Sequence, residues 1–305
     1  MQLENITYRG LANCYRLSND TIDLIITAGF GPRLLRFGFV GQENEFFETE
    51  PLEAPRDDVW RLYGGHRLWH APETPGRTDV PDNQPVTVED HGDFVRVIQP
   101  VEARTGIQKE MDISLESNQA SVKVVHRMRN RGVWTVELSI WALSVMRGGG
   151  TAIIPLPPRG THPEALLPTG RIVLWAYTDM ADARWRWGRK YIQLRQDSSA
   201  DQPQKFGAAV VDGWAAYARS GHLFVKTFAY DKRAVYPDQG SSVEVFTNSD
   251  MLELETLSSL ITLPPDGVGE HVERWFLFRD VPDASSDDDI DAHILPLIVP
   301  VTARR

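Results

Sequence analysis

Short runs rich in Val, Ile, Phe, Trp and Thr recur from one end of the chain to the other, with turn residues between them. Residues 21–27, 121–128, 134–143, 171–176, 223–230, 242–246, 252–257 and 272–278 are the clearest of these runs. Several alternate apolar and polar positions, the period-two pattern of a strand with one buried face. Breakers rich in Gly, Pro, Asn and Asp punctuate them at residues 18–20, 29–32, 130–132, 148–150 and 264–267. Helical periodicity is confined to residues 179–183 and 287–295. Such a pattern folds as antiparallel sheets, and all-β chains well beyond about 200 residues commonly form one domain. The proline-bearing stretch 155–168 joins two strand-rich halves that do not repeat each other, and no Gly/Ser linker separates them. The expectation is therefore a single domain over residues 1–305.

Hydrophobic residues make up 42% of the 305-residue chain and charged residues 24%, enough apolar side chains for a substantial core. The formal net charge of −10 argues against nucleic acid as a partner, because phosphate backbones are bound by basic surfaces. Cys14 is the only cysteine, so neither an intrachain disulfide nor a cysteine-cluster zinc site can form. Nothing near it in sequence would activate it, and it reads as a quiet thiol. Residues 1–9 lack the basic start and apolar run of a signal peptide, and no stretch of about 18 apolar residues occurs. Those features make a cytoplasmic protein without a membrane partner the expectation, as a monomer or homodimer. The acidic run 285–291 lacks the glycine and spacing of a calcium loop and reads as solvated surface. Residues 198–204 read as an exposed polar loop.

Two clusters carry candidate chemistry. In the first, Tyr63-Gly64-Gly65 precedes His66, Arg67, Trp69, His70 and Glu73. Paired glycines allow a turn or a close approach of backbone to a ligand. His66 and His70 have the i,i+4 spacing of helical zinc ligands, but Gly65 and Pro72 disfavour a helix. On a strand they share a face about 13 Å apart, too far for one ion. The segment thus points to no metal or cofactor, and both histidines could equally be hydrogen-bonded structural residues. The second cluster holds Asp238, Glu244, Glu253 and Glu255. On a strand Glu253 and Glu255 point to one face about 7 Å apart, close to the span of a pyranose ring. They either line a groove, with one acting as a base, or decorate a solvent-exposed outer face. Lys226 lies between apolar neighbours and could point to solvent by alternation alone. The 9 tryptophans offer flat apolar faces suited to sugar rings as well as to packing.

These motifs carry a resemblance. Met251-Leu252-Glu253-Leu254-Glu255 resembles the strand of aldose 1-epimerases in which Leu-Glu-x-Gln bears the catalytic base. Residues 263–270 and Glu273-Arg274-Trp275-Phe276-Leu277-Phe278 are similar to that family's closing turn and last strand, and residues 31–37 and 43–47 to its opening strands. Gly64 to Trp69 stands where related hexose-phosphate epimerases carry a Gly-Gly segment, and most of the chain resembles a bacterial branch of the superfamily. The resemblance implies an all-β, galactose mutarotase-like β-supersandwich with few short helices and a small-molecule carbohydrate as ligand. It places Glu253 on the base and Glu255 on the family's Gln. One departure is plain: the family's mid-chain Asn-His-x-Tyr-Phe-Asn-Leu is replaced by Ile140-Trp141-Ala142-Leu143-Ser144-Val145-Met146, without a histidine.

The resulting expectation is an isomerase of the aldose mutarotase or epimerase kind. Glu253 would be the base, His66 the acid, and Arg67, Trp69, His70, Glu73, Lys226, Asp238, Glu244 and Glu255 the substrate-binding set. The alternative is a carbohydrate-binding protein of the same fold without catalysis. A lyase or hydrolase acting on acidic polysaccharide ranks last, because the helical partner domain usual for such enzymes is missing from the pattern.

Overall fold

Alternation along each strand decides which side chains meet between sheets. In Ser121–Asn130, Val122, Val124, His126 and Met128 are buried while Lys123, Arg127 and Arg129 face outward. The outward charges find partners on neighbouring strands: Arg127 with Asp112 and Glu270, Arg129 with Glu110, and Arg96 with Asp112. Such cross-strand pairs add to sheet stability on a solvated face.

The structure, a computed structural model, describes all residues except Asn118, Arg304 and Arg305. Two large antiparallel sheets pack face to face. Among the described residues the larger has eleven strands. Its path runs Gln2–Tyr8, Leu11–Ser18, Ile22–Thr27, Arg33–Phe39, Gly65–Ala71, Val136–Arg147, Met251–Leu257, Val243–Thr247, Gln204–Ala208 and Ile172–Leu174, with Ile261–Leu263 added beside Val136–Arg147. Among the described residues the smaller has ten strands, and it centres on His222–Phe228, Val268–Phe278 and Ser121–Asn130. First-quarter and last-quarter segments are thus brought together by Val136–Arg147, which pairs with Gly65–Ala71 on one side and Met251–Leu257 on the other.

Between the sheets lie Leu68, Ile140, Leu254, Val245 and Phe206 from the larger, against Val122, Met111, Phe224 and Trp275 from the smaller. Each such side chain contributes about 1.5–3 kcal/mol through burial. The expected helix at 179–183 is not formed; these residues make turns. The C-terminal helical segment is real but longer than expected, running through Asp287–Asp289, a π-helical turn Ile290–Ile294, and Leu295–Thr302. It lays Ile290, Ile294 and Ile298 on the outer face of the smaller sheet, against Trp214 and Val225. No described helix is long and apolar enough to cross a membrane.

The Gly64-Gly65 pair serves the sheet rather than a ligand. Both have positive φ, +86° and +70°, and a Cβ on Gly65 would lie 2.2 Å from the Leu34 carbonyl oxygen. The Gly65 amide donates to the Phe47 carbonyl at 2.9 Å, anchoring the strand's first residue. Gly65→Ala is therefore expected to lower stability by at least about 1–3 kcal/mol, the usual cost of a strained backbone residue. Chemical denaturation would show it, and an unchanged midpoint would contradict the account.

Candidate functional site

One face of the larger sheet is packed against the smaller sheet; the other carries the candidate site. Register puts Arg67 opposite Leu143, Leu143 opposite Glu255, and Glu255 opposite Glu244. These four positions form a row across adjacent strands. Trp69 and Trp141 are paired one step along it, and Glu253 sits on the same face of its strand. Arg67, Trp69, Glu244, Glu253 and Glu255 from the expected set therefore share one surface. Glu255 and Glu244 are fully buried and Glu253 is 8% exposed, so the reading of these carboxylates as a solvent-facing decoration is set aside.

The carboxylates are held by cations. Arg67 Nη1 lies 2.9 Å from Glu253 Oε1, and the guanidinium stacks over Trp69 at 4.5 Å from the ring centre. Lys205 Nζ stands 2.8 Å from Glu244 Oε2 and 3.5 Å from Glu255 Oε2. It is flanked by the rings of Trp141 and Trp175 at 4.8 and 4.7 Å. Trp141 Nε1 donates to Glu255 Oε2 at 2.7 Å. Burial pushes the Glu255 carboxyl up, with Lys205 opposing and Glu253 adding to the rise, to about 7. Burial likewise raises Glu244, against Lys205 and with Glu255 and Asp238. Burial alone would lower the Lys205 ammonium, but Glu255 and Glu244 outweigh it and hold it above the usual lysine range. Arg67 Nε, Glu244 Oε1 and Glu255 Oε1 are buried without a hydrogen-bond partner among the described residues. Unmet donors and acceptors this well buried call for a partner, an ordered water or a polar group of a ligand.

Lys205, Trp141, Trp175 and Trp60 belong to this surface and were not in the expected set. Lys205 lies just past the run expected as a loop, on the strand Gln204–Ala208. Trp60 comes from the segment before the Gly-Gly pair, its ring 5.5 Å from Trp69. Asp238 sits in a turn with φ +46°, close enough to raise Glu244. Glu73 is exposed, at the rim near Tyr177.

Three expected residues are elsewhere. His66 and His70 point between the sheets, opposite in direction to Arg67 and Trp69, because strand neighbours alternate faces. His66 is fully buried: Nδ1 lies 2.9 Å from Ser144 Oγ and Nε2 lies 2.8 Å from His126 Nε2. It cannot serve as the acid across a sugar from Glu253, and that expectation is corrected. His70 is buried on the same face, and burial, with Lys109 and Arg77, lowers its imidazole to about 3. Lys226 is on the smaller sheet, fully buried and 2.9 Å from Glu273 Oε1, so it does not share the face that carries Arg67 and Glu253 and does not face solvent.

The inter-sheet polar cluster has a defined proton order. His126 Nδ1 lies 3.0 Å from the His271 carbonyl oxygen, so Nδ1 carries the hydrogen and Nε2 accepts from His66 Nε2. His66 Nδ1 then accepts from Ser144. Thr256 Oγ1 and Trp275 Nε1 donate to Glu273, and His271 Nε2 donates to Thr256. His66 Nε2, His126 Nε2 and a Glu273 oxygen lie within 4.8 Å of one another, the spacing of a metal site. The donor set does not suit an ion: both Glu273 oxygens are engaged and the Lys226 ammonium sits beside them.

This cluster gives stability a pH dependence. Burial lowers His126 to about 4 and His271 to about 3, and drives His66 well below the usual imidazole range. Below about pH 6.5 the unfolded chain takes up protons that the native state refuses. Stability is thus full above that pH and falls as pH drops toward 4, by up to about 1.4 kcal/mol per pH unit per histidine. Glu244 and Glu255, raised in the folded state, work in the opposite sense as pH rises above about 4.5 and offset much of the histidine effect. The histidine contribution is read in a Glu244→Gln/Glu255→Gln background, where the denaturant midpoint should fall clearly from pH 7 to pH 5; equal midpoints there would rule it out.

No family model matches the sequence. No curated protein matches it either. Solved structures do match in shape. A galactose mutarotase-like protein from Lactobacillus casei superposes with a TM-score of 0.56 at 9% identity, covering 87% of this chain and 100% of that one. A galactose mutarotase related enzyme from Lactobacillus acidophilus gives 0.56 at 9% identity, over 89% of this chain and 99% of that one. A TPR-domain containing protein from Parabacteroides distasonis gives 0.59 at 14% identity, over 89% of this chain but 48% of that one. At such identities the likeness establishes the fold: a galactose mutarotase-like supersandwich.

Proposed function

We propose that the outer face of the larger sheet binds a sugar and that the protein interconverts its anomers or epimers, with Glu253 and Glu255 as the proton-transfer pair. The observation that carries this reading is the pair itself: two carboxyls on one strand face, about 7 Å apart, beside tryptophan rings. Environments that differ between two titratable groups assign acid and base roles. Glu253, ion-paired with Arg67, takes the anomeric hydroxyl proton. As C1–O1 becomes a carbonyl, the bond from C1 to the ring oxygen breaks, and that oxygen takes the proton carried by Glu255. Rotation and reversal return the other anomer and restore both groups. Trp69 and Trp141 supply flat faces for the ring, and Arg67 Nε a donor to hydroxyls.

A second reading, a binder without turnover, is favoured by one observation: both carboxylates already have partners, Glu253 in Arg67 and Glu255 in Trp141 and Lys205. NMR exchange spectroscopy of aldose anomers, beside calorimetric titration of the same sugars, separates the two. Accelerated exchange supports the isomerase, binding with an unchanged exchange rate supports the binder, and neither result removes the sugar site.

A further inference from the structure

Glu244 and Glu255 are directly opposed on adjacent antiparallel strands, and both are fully buried. Like charges placed so destabilise a sheet, and burial makes the repulsion worse. A single cation, Lys205, bridges them. The charged groups around them do not make up the shortfall. Arg67, from the strand Gly65–Ala71, bears on Glu255 but is already paired with Glu253, whose own charge adds to the rise of Glu255; Lys226, from the smaller sheet, also feels Glu255 but is paired with Glu273. Asp238, from the turn before Val243–Thr247, bears on Glu244, and Glu73 and Tyr177 lie near the same rim. Trp141, from Val136–Arg147, donates one uncharged hydrogen bond. Two carboxylates facing one ammonium leave a buried surplus negative charge, which a proton relieves. Glu244 Oε1 and Glu255 Oε1, neither with a partner among the described residues, are the positions that could hold it.

We infer that Glu244 is a positioning residue: across the Lys205 bridge it keeps a proton on the Glu244–Glu255 pair at neutral pH, so that Glu255 meets the ligand as a carboxylic acid. The catalytic meaning of that proton rests on the proposed sugar reaction; the protonation does not. In the reaction the Glu255 proton passes to the ring oxygen as the C1–O bond breaks, and ring closure returns it. Both carboxyls are raised, Glu244 by burial and by Glu255, and Glu255 by burial and by Glu253. Strongly interacting groups titrate as a pair, so removing one changes the other's midpoint.

The test is carbon-13 NMR of protein labelled at glutamate side-chain carboxyls, titrated between about pH 4 and 9, a window that spans free carboxyl and neutral values. One resonance, identified by its loss in Glu255→Gln, is expected to titrate near 7. Glu244→Gln should lower that midpoint by about one unit or more, a tenfold loss of proton affinity. Lys205→Met should raise it, and Glu244→Asp should largely restore the original value, which a merely structural role for Glu244 would not explain. Amide spectra verify that each variant is folded. The inference is overturned if no carboxyl titrates above about pH 6, well clear of ordinary glutamate, or if Glu244→Gln leaves the Glu255 midpoint in place. A midpoint that behaves as expected in a protein that binds none of the sugars tried would keep the proton device and overturn its catalytic use.

Discussion

Lys226→Met should destabilise the protein by about 3–5 kcal/mol, the usual cost of stripping one partner from a buried ion pair. Lys226 and Glu273 are both fully buried, 2.9 Å apart, and the ammonium also donates to the Ala142 carbonyl oxygen at 3.3 Å. That contact ties the smaller sheet to the strand forming the middle of the site. Burial would raise the Glu273 carboxyl, but Lys226 and the neighbouring histidines outweigh it and hold it below the usual carboxylate range. Its contribution is present above the unfolded carboxyl value of about 4.5 and lost on acidification below that. Without Lys226 the remaining hydrogen bonds from Thr256 and Trp275 must support a buried carboxylate alone. The deficit should therefore grow as pH rises above about 5, where that group would otherwise ionise. Pairing the change with Glu273→Gln should recover most of the loss, because a neutral pair needs no counter-charge. Denaturant midpoints of the wild type, both single variants and the double variant form the cycle. Equal losses in Lys226→Met and in the double variant would mean that packing, and not charge, holds these groups.

Much of this architecture is legible in local pattern. Period-two alternation identifies Ser121–Asn130 and Met251–Leu257 as strands, and it assigns Glu253 and Glu255 to one face without any knowledge of partners. The same rule also limits the first cluster. His66 and His70 share one face and Arg67 and Trp69 the other, so a single groove could never receive all four. What local pattern cannot supply is which of these faces looks onto Glu253, since that depends on register through the intervening strand Val136–Arg147. A slip of one residue would exchange the histidines for the arginine. Lys205 was hidden for a similar reason. Its strand, Gln204–Ala208, is five residues long, holds Gly207, and follows a polar run; only its pairing with Val243–Thr247 brings the ammonium to the glutamates. Lys226 shows the converse error. Apolar neighbours on both sides mark a strand buried on two faces, where a charge is more costly and needs a partner distant in sequence.

Glu253→Gln should abolish most of any catalysed anomer exchange while leaving sugar affinity within a few fold. A positioned general base contributes roughly 10²–10⁴ in rate, and the amide keeps the volume and one acceptor oxygen but cannot take up the hydroxyl proton. Glutamine also releases Arg67, which loses its carboxylate partner at 2.9 Å yet keeps its place against the Trp69 ring. The guanidinium then carries an unpaired, nearly buried charge beside the proposed sugar face, so the variant should gain affinity for acidic sugars relative to neutral ones. This second effect separates two meanings of a slow variant. Were Glu253 only a structural partner of Arg67, Arg67→Met would slow exchange as much as Glu253→Gln does. With Glu253 as base, Arg67→Met weakens binding and orientation but leaves the proton acceptor in place, and its exchange rate at saturating sugar should stay well above that of Glu253→Gln. Saturation-transfer rates between the α and β anomeric resonances of several aldoses, measured for the wild type and both variants, decide it. A wild-type protein that accelerates exchange, together with a Glu253→Gln variant that does so equally well, would remove Glu253 from the chemistry and leave Glu255 as the group to pursue.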